Sequence, residues 1–295
     1  MYRTFTVLCV LAVVGSAIAQ ESEVTQVTTT TTASGSTDLI GGLWFMDDAT
    51  VLDTGAVDLR FTFGFLTGGE PFNNGDADDD FVFTPSLYWG AAENLEVFAS
   101  VPIWMGDGGD AGALDEGNFD TNVGFTWRIA DPVDGMHAMA LKSSFRIPTG
   151  DNSNGIDFEE RLILTNEYDS GIRSHFNIYG KTVNSDNWKS AGGIWTSGMS
   201  GHHDDRDSFR HFQWGVVLGL DGPLCSDGAV RWVLDYVNRT STHYGRSNVN
   251  MLETGWEWAM SDSENLGMSL QIGLDHAGDA PNFGATIAYT HALTY

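Results

Sequence analysis

Apolar and polar side chains alternate along most of the chain after residue 53, most clearly in residues 282–295. Successive side chains of a β-strand point to opposite sides. One side of this last segment is apolar and carries Phe283, Ala285, Ile287, Tyr289, Leu293 and Tyr295. An outer-membrane barrel needs such strands, because in lipid every backbone group must be paired within a closed sheet. The segment therefore predicts a barrel strand, with Tyr295 as a C-terminal signal for the barrel-assembly machinery.

Twelve segments share this period of two. They are residues 57–65, 81–89, 95–105, 121–129, 139–147, 162–168, 172–179, 212–220, 230–236, 249–260, 266–274 and 282–295. Connections after odd-numbered segments are mostly longer than those after even-numbered ones, as in barrels with both termini in the periplasm. The pattern predicts an all-β protein, a transmembrane antiparallel β-barrel of about 12 strands with periplasmic termini.

The first residues predict export. Arg3 precedes an apolar run at residues 7–14, and residues 17–19 (AIA) form a small-x-small cleavage site, so residues 1–19 read as a signal peptide. Residues 20–52 are predicted to be a flexible, Thr/Ser-rich periplasmic lead-in. Within it, residues 40–52 fit a short strand, a lumen insert or a periplasmic flap. Residues 53–295 then form the barrel, in the outer membrane of a Gram-negative-type cell.

Composition narrows the possible partners. No stretch after the signal peptide reaches the roughly 18 apolar residues of a membrane helix. The chain has 40 acidic and 14 basic residues, and its net charge of −26 argues against nucleic acid as a partner. The expected partners are outer-membrane lipid, lipopolysaccharide and a small-molecule solute, and no motif indicates a cofactor.

Three segments follow one another in a recognisable order. They are LYWGAAENLEVFASVP at residues 87–102, GNFDTNVGFTWRI at 117–129 and KSSFRIPTGD at 142–151. In this order they resemble the outer-membrane β-barrel family named for the meta-pathway of phenol degradation, over roughly residues 53–295. The resemblance implies a barrel that passes small, often aromatic or apolar, molecules, and it brings no catalytic residues. The acidic first long connection and the long fourth one, residues 181–210, depart from the family.

Ten charged side chains fall on the side opposite the apolar one and are candidates to line a pore. They are Arg60, Glu96, Arg128, Lys142, Arg146, Arg161, Arg231, Asp235, Glu253 and Glu257. An Arg or Lys facing lipid at the bilayer midplane costs about 2–4 kcal/mol, so these side chains are expected to face inward. They would either form a polar pore whose opposed charges select solutes, or an internal salt-bridge network that fills a narrow barrel.

Two predicted loops carry groups that suit metal ions. Asp76, Asp78 and Asp80 alternate in the first loop and could bind Ca²⁺ or bridge divalent cations on lipopolysaccharide. The Gly and Glu of a calcium loop are missing, so a solvated, self-repelling loop is the alternative. His202 and His203 lie beside acidic residues in the fourth loop and suit a transition metal, but no predicted strand or helix fixes their geometry.

The predicted function is passive passage of small solutes through an outer-membrane channel. One alternative is a structural or surface-binding barrel with a plugged lumen, and another is a secreted soluble β-sandwich, which shares alternating strands. An outer-membrane hydrolase would need a serine held beside a histidine. The chain has no G-x-S-x-G motif, so a protein without enzymatic activity is predicted.

Overall fold

The structure, a computed structural model, describes residues 45–67, 79–104, 117–118, 120–131, 137–149, 155–182, 210–225, 228–241, 247–274 and 283–293. The predicted signal peptide and residues 20–44 lie outside this set. So do four candidate metal ligands and the terminal aromatic residue, namely Asp76, Asp78, His202, His203 and Tyr295. Within the described ranges, no helix has the length and apolar character needed to cross a membrane.

Twelve strands make up the described part of the chain, two of them in two pieces. They are β1 (Val57–Thr67), β2 (Asp79–Ala92), β3 (Leu95–Ser100 and Ile103–Trp104), β4 (Gly117–Asn118 and Thr121–Ala130), β5 (Ala138–Ile147), β6 (Asp157–Glu167), β7 (Arg173–Thr182), β8 (Phe212–Pro223), β9 (Val230–Arg239), β10 (Val249–Ser261), β11 (Glu264–Gly273) and β12 (Phe283–Leu293). Each strand is antiparallel to the next in sequence.

The sheet closes on itself because β1 pairs with both β2 and β12. All 11 residues of β1 take part in both ladders, for example Phe63 with Phe83 on one side and with Ile287 on the other. A closed antiparallel sheet has no free edge, so its strands satisfy one another's backbone groups. The prediction of a 12-stranded antiparallel barrel is confirmed.

The outer side of the barrel is apolar and the inner side polar. Leu218 and Ile287, both on the predicted apolar sides, are 49% and 43% exposed. By contrast, the side chains of Asn177, Asp235 and Glu253 are fully buried. A two-sheet sandwich would bury its apolar sides between the sheets. The soluble β-sandwich alternative is therefore wrong.

Several strands extend beyond their predicted bounds. The sixth begins at Asp157 rather than at residue 162, because Asp157, Glu159 and Arg161 continue its inward-facing row. The apolar pattern did not reveal this extension, because polar residues lie on both sides of the strand there, including the outward-facing Glu160. The ninth strand likewise continues to Arg239, three residues past its predicted end, through pairing with β8 and β10.

The stretch before β1 turns sharply into the barrel wall. Gly55 has φ +88° and donates its backbone N–H to the carbonyl of Gly90, 2.7 Å away. A side chain at Gly90 would collide with the same stretch, since a Cβ there would lie 2.0 Å from the carbonyl oxygen of Asp53. These contacts fix the point at which the preceding residues leave the wall.

Candidate functional site

Residues Phe45–Leu52, which we call the luminal segment, lie against the inner side chains of the barrel. Hydrogen bonds join this segment to side chains on β3, β5, β6 and β7, at separations of up to 130 residues in sequence. Because these strands form different parts of one closed wall, the segment occupies the lumen. Residues 45–52 of the predicted lead-in therefore lie inside the barrel.

Asp47 is bound by two cations from neighbouring strands. Lys142 Nζ donates to Oδ1 at 2.6 Å, and Arg161 Nη1 donates to Oδ2 at 2.6 Å. The side chain of Asn177 holds the backbone of Asp47, accepting from its N–H at 2.7 Å and donating to its carbonyl at 2.8 Å. Burial opposes ionisation, but the charges of Lys142 and Arg161 outweigh it and hold the pKa of Asp47 below its usual value.

Phe45 and Met46 anchor the apolar end of the luminal segment. Both are almost fully buried, and Phe45 also accepts a hydrogen bond from Arg161 at its carbonyl. They pack in one cluster with the inward side chains Val217, Val233, Val237, Val249 and Met251. Inside an otherwise polar barrel this cluster forms an apolar patch on β8, β9 and β10.

The rest of the luminal segment contacts the wall nearer to the start of β1. Asp48 pairs with Arg173 on β7 at 3.4 Å, and the N–H of Ala49 donates to the Thr165 hydroxyl at 3.0 Å. Farther along, the N–H of Leu52 donates to Glu96 at 3.3 Å. Most residues of the luminal segment therefore contact the wall.

Cations and aromatic rings alternate along part of the inner wall. The guanidinium of Arg60 lies 4.2 Å from the centre of the Tyr88 ring, and Tyr88 stacks on Phe98 at 5.6 Å. Lys142 lies 5.2 Å from the centre of the Phe98 ring. Farther round, Arg161 lies 4.7 Å from the centre of the Tyr179 ring. Such cation–π contacts hold the charges in place against the wall.

Glycines on the adjacent strands make room for these rings. A Cβ at Gly124 would lie 2.5 Å from the Phe98 ring, and one at Gly215 would lie 2.5 Å from the Tyr179 ring. Each ring therefore lies flat over a neighbouring strand instead of projecting across the lumen.

Two further charged clusters lie on the inner wall, one toward each end of the lumen. Arg146 bridges Asp120 at 2.5 Å and Asp157 at 2.5 Å, and all three side chains are buried. At the other end, Asp221 accepts from Arg173 at 3.1 Å, from His175 at 2.6 Å and from Arg231. Charges paired this closely and buried this deeply act as wall structure.

The acidic part of the inner wall lies on β9 and β10. Asp235, Glu253 and Glu257 are buried there, and Glu253 accepts hydrogen bonds from Ser269 at 2.5 Å and from Gln271 at 3.3 Å. The cations that bind Asp47 lie on β5 and β6. Acidic side chains and cations therefore lie on different parts of the circumference of the lumen.

The ten candidate pore residues divide by environment. Lys142, Arg161 and Glu96 touch the luminal segment, and Arg60 lies in the row of cations and rings. Arg146, Arg231, Asp235, Glu253 and Glu257 belong to the charged clusters described above. Arg128 lies apart, near the end of β4, where it donates to Asn94 in the tight turn between β2 and β3 at 3.0 Å and pairs with Asp131.

Sequence analysis did not identify the residues that bind these charged side chains. Asp47, Asn177 and Tyr179 were not singled out, although Asp47 directly follows the apolar residues 43–46 (LWFM). Of the metal candidates, only Asp80 is described, as a β2 residue. Within the described ranges, no group of three His, Cys, Asp or Glu side chains is placed to hold a metal ion.

Comparison with known proteins supports the fold. No protein-family model and no curated protein sequence matches the chain. A crystal structure of an outer membrane channel from Pseudomonas putida F1 is 13% identical, with a TM-score of 0.61 over 83% of this chain and 98% of that one. A KdgM porin in complex with disordered oligogalacturonate is 8% identical, with a TM-score of 0.47 over 81% of this chain and 99% of that one.

The CymD monoaromatic hydrocarbon channel is 10% identical, with a TM-score of 0.43 over 83% of this chain and 90% of that one. At these scores the porin and the hydrocarbon channel add nothing to the fold assignment, which rests on the channel from Pseudomonas putida F1. Together with the closed, apolar-sided sheet, that similarity shows that this chain has the fold of an outer-membrane β-barrel.

Proposed function

We propose that this protein is an outer-membrane channel through which small solutes pass passively. The observation that carries the proposal is a closed 12-stranded barrel whose apolar side faces outward and whose inner wall carries charges of both signs. Rings of charged side chains set which solutes enter a pore. The ten candidate residues are proposed to line this pore, with Lys142 and Arg161 beside the luminal segment.

Export and orientation complete the proposal. Residues 1–19 act as the signal peptide, both termini lie in the periplasm, and Tyr295 is read by the barrel-assembly machinery. The family resemblance at residues 87–151 supports aromatic or apolar molecules as solutes.

A second function is favoured by the luminal segment itself. Its contacts with β3, β5, β6 and β7 fill part of the lumen. If the segment stays bound, the barrel is plugged and has a structural or surface-binding role. The two functions differ in one property, which is whether ions and solutes cross the folded protein.

Planar-bilayer recording on the full-length mature protein tests both functions. Folding is checked first by heat-modifiable migration on a gel. Discrete conductance steps from wild-type protein support the channel. Steps that appear only in the Asp47→Asn variant identify a channel closed by the luminal segment. Folded protein with neither conductance nor solute flux in either form would exclude the channel and leave the structural barrel.

A further inference from the structure

Asp47 shows what kind of ligand the inner wall can hold. One of its carboxylate oxygens receives Lys142 Nζ and the other receives Arg161 Nη1, each at 2.6 Å. These distances are typical of strong, charge-assisted hydrogen bonds. The two cations come from adjacent strands and are held by the rings of Phe98 and Tyr179, so their spacing belongs to the wall and not to the segment.

Removing Asp47 would leave these cations without their carboxylate. Among the described residues, Lys142 has no other carboxylate within 4.0 Å, and no acceptor bonds to Nε of Arg161. Arg161 keeps Glu159 at 3.1 Å. Leaving one partner of a largely buried ion pair alone is strongly unfavourable. Any solute that takes the place of the luminal segment is therefore favoured if it brings its own carboxylate.

The residues next to Asp47 define the rest of the ligand. Phe45 and Met46 lie immediately before the carboxylate and fill the apolar patch of Val217, Val233, Val237, Val249 and Met251. The carbonyl of Phe45 also binds Arg161, at 2.8 Å, so the apolar body and the charged group lie close together. The segment thus presents a carboxylate joined to an apolar body.

We propose that Lys142 and Arg161, with the neighbouring apolar patch, form a binding site for small carboxylates with an apolar body, and that Phe45–Asp47 occupies this site as a built-in competitor. The inference deepens the proposed channel function, because a solute must enter the lumen to reach the site. Asp235 lies between Val233 and Val237 on β9 and opposite Glu253 on β10, so the patch presents acidic side chains rather than the cations that a carboxylate needs. The carboxylate of the solute therefore points toward β5 and β6.

Calorimetry with benzoate as probe tests the site on full-length protein in detergent. Asp47→Asn removes the internal carboxylate and keeps its shape, so benzoate is expected to bind about tenfold more tightly than to wild type, the equivalent of one lost charged contact. Benzamide has the same ring without the charge and should show no gain. Equal gains for benzamide and benzoate, or no gain for either, would overturn the proposal.

Two double variants show where the benzoate binds. Asp47→Asn with Lys142→Gln should lose the gain, and Asp47→Asn with Lys142→Arg should keep it. The matched control is Asp47→Asn with Arg128→Gln, which removes a positive charge beside the β2–β3 turn and should also keep the gain. A gain that survives Lys142→Gln would refute the site. Folding of each variant is verified by heat-modifiable migration.

Potassium chloride conductance of the same samples separates this inference from the channel function. Protein that conducts but shows no benzoate gain in the Asp47→Asn variant refutes the carboxylate site and leaves the channel. Protein that shows the gain but never conducts supports the site and excludes the channel.

Discussion

Met46 occupies the space that a side chain on Gly219 would need. A Cβ at Gly219 would lie 1.9 Å from Met46 Sδ and 2.8 Å from Asp235 Oδ1. The luminal segment can therefore bind only because residue 219 on β8 has no side chain. A substitution at this position should displace the segment.

Gly219→Ala should displace the luminal segment. Overpacking a buried contact typically costs about 1–3 kcal/mol, and 1.4 kcal/mol is about a factor of ten in population. With Ala49→Cys as a reporter in a Cys225→Ser background, labelling of residue 49 by a water-soluble maleimide should accelerate about tenfold. Mass spectrometry of peptides identifies the labelled site.

Gly222→Ala is the matched control for this prediction. Gly222 lies on the same strand, but a Cβ there would meet Ile172 and Trp232 at 3.1 Å and would not meet the segment. In the Gly222→Ala variant, residue 49 should be labelled at the same rate as in the protein that carries only Ala49→Cys and Cys225→Ser. Similar acceleration in both variants would mean that the effect is general loosening of β8.

Acidification should release the luminal segment. The pKa of Asp47 is lowered in the folded protein, so its stabilising contribution is complete above its unfolded value of about 3.8 and is lost as pH falls through the lower folded value. A spin label at Val51→Cys, a half-buried position of the luminal segment, should become more mobile below about pH 4. In the Asp47→Asn variant this acid-induced step should be absent, and a step of equal size there would assign it to another group.

Asp221 should contribute strongly to barrel stability. Asp221→Asn leaves Arg173 and Arg231 beside a neutral amide, and breaking a buried ion pair costs about 3–5 kcal/mol. The midpoint of urea unfolding in lipid vesicles should fall accordingly. Glu167→Gln, at the exposed end of β6, should leave the midpoint unchanged.

Charge removal should affect ion selectivity differently at two positions. Lys142 lies inside the lumen, where it binds Asp47 of the luminal segment, whereas Arg128 lies near the end of β4, beside the β2–β3 turn and next to Asp131, which is 58% exposed. Lys142→Gln should therefore shift the reversal potential in a potassium chloride gradient toward cation selectivity, and Arg128→Gln should shift it less. A larger shift for Arg128→Gln would place the selective region at that turn.

The outer side should penalise charge according to depth. Leu218 lies in the middle of β8, so Leu218→Arg should cost about 2–4 kcal/mol of folding free energy in vesicles. Phe212 begins the same strand, and Phe212→Arg should cost about 0–1 kcal/mol. Equal costs would show that Leu218 does not face the hydrocarbon core.

Strand pairing could be predicted because it follows from a local pattern. Apolar residues such as Phe283, Ala285 and Ile287 recur every two residues. The pairing of β12 with β1 and β11 keeps this alternation. The luminal segment has no such period. Its hydrogen bonds to Thr165 and Asn177 span 116 and 130 residues, so they depend on how far each strand is shifted against the next. Local sequence does not encode that shift.

The short connection between Leu52 and β1 also governs how the lumen responds to solutes. Four residues separate Leu52 from Val57, and the turn at Gly55 is bonded to β2. A peptide on so short a tether never diffuses away, and its effective concentration near its own site is of millimolar order or above. An external ligand therefore displaces it appreciably only when it is abundant or binds much more tightly than the tethered peptide does.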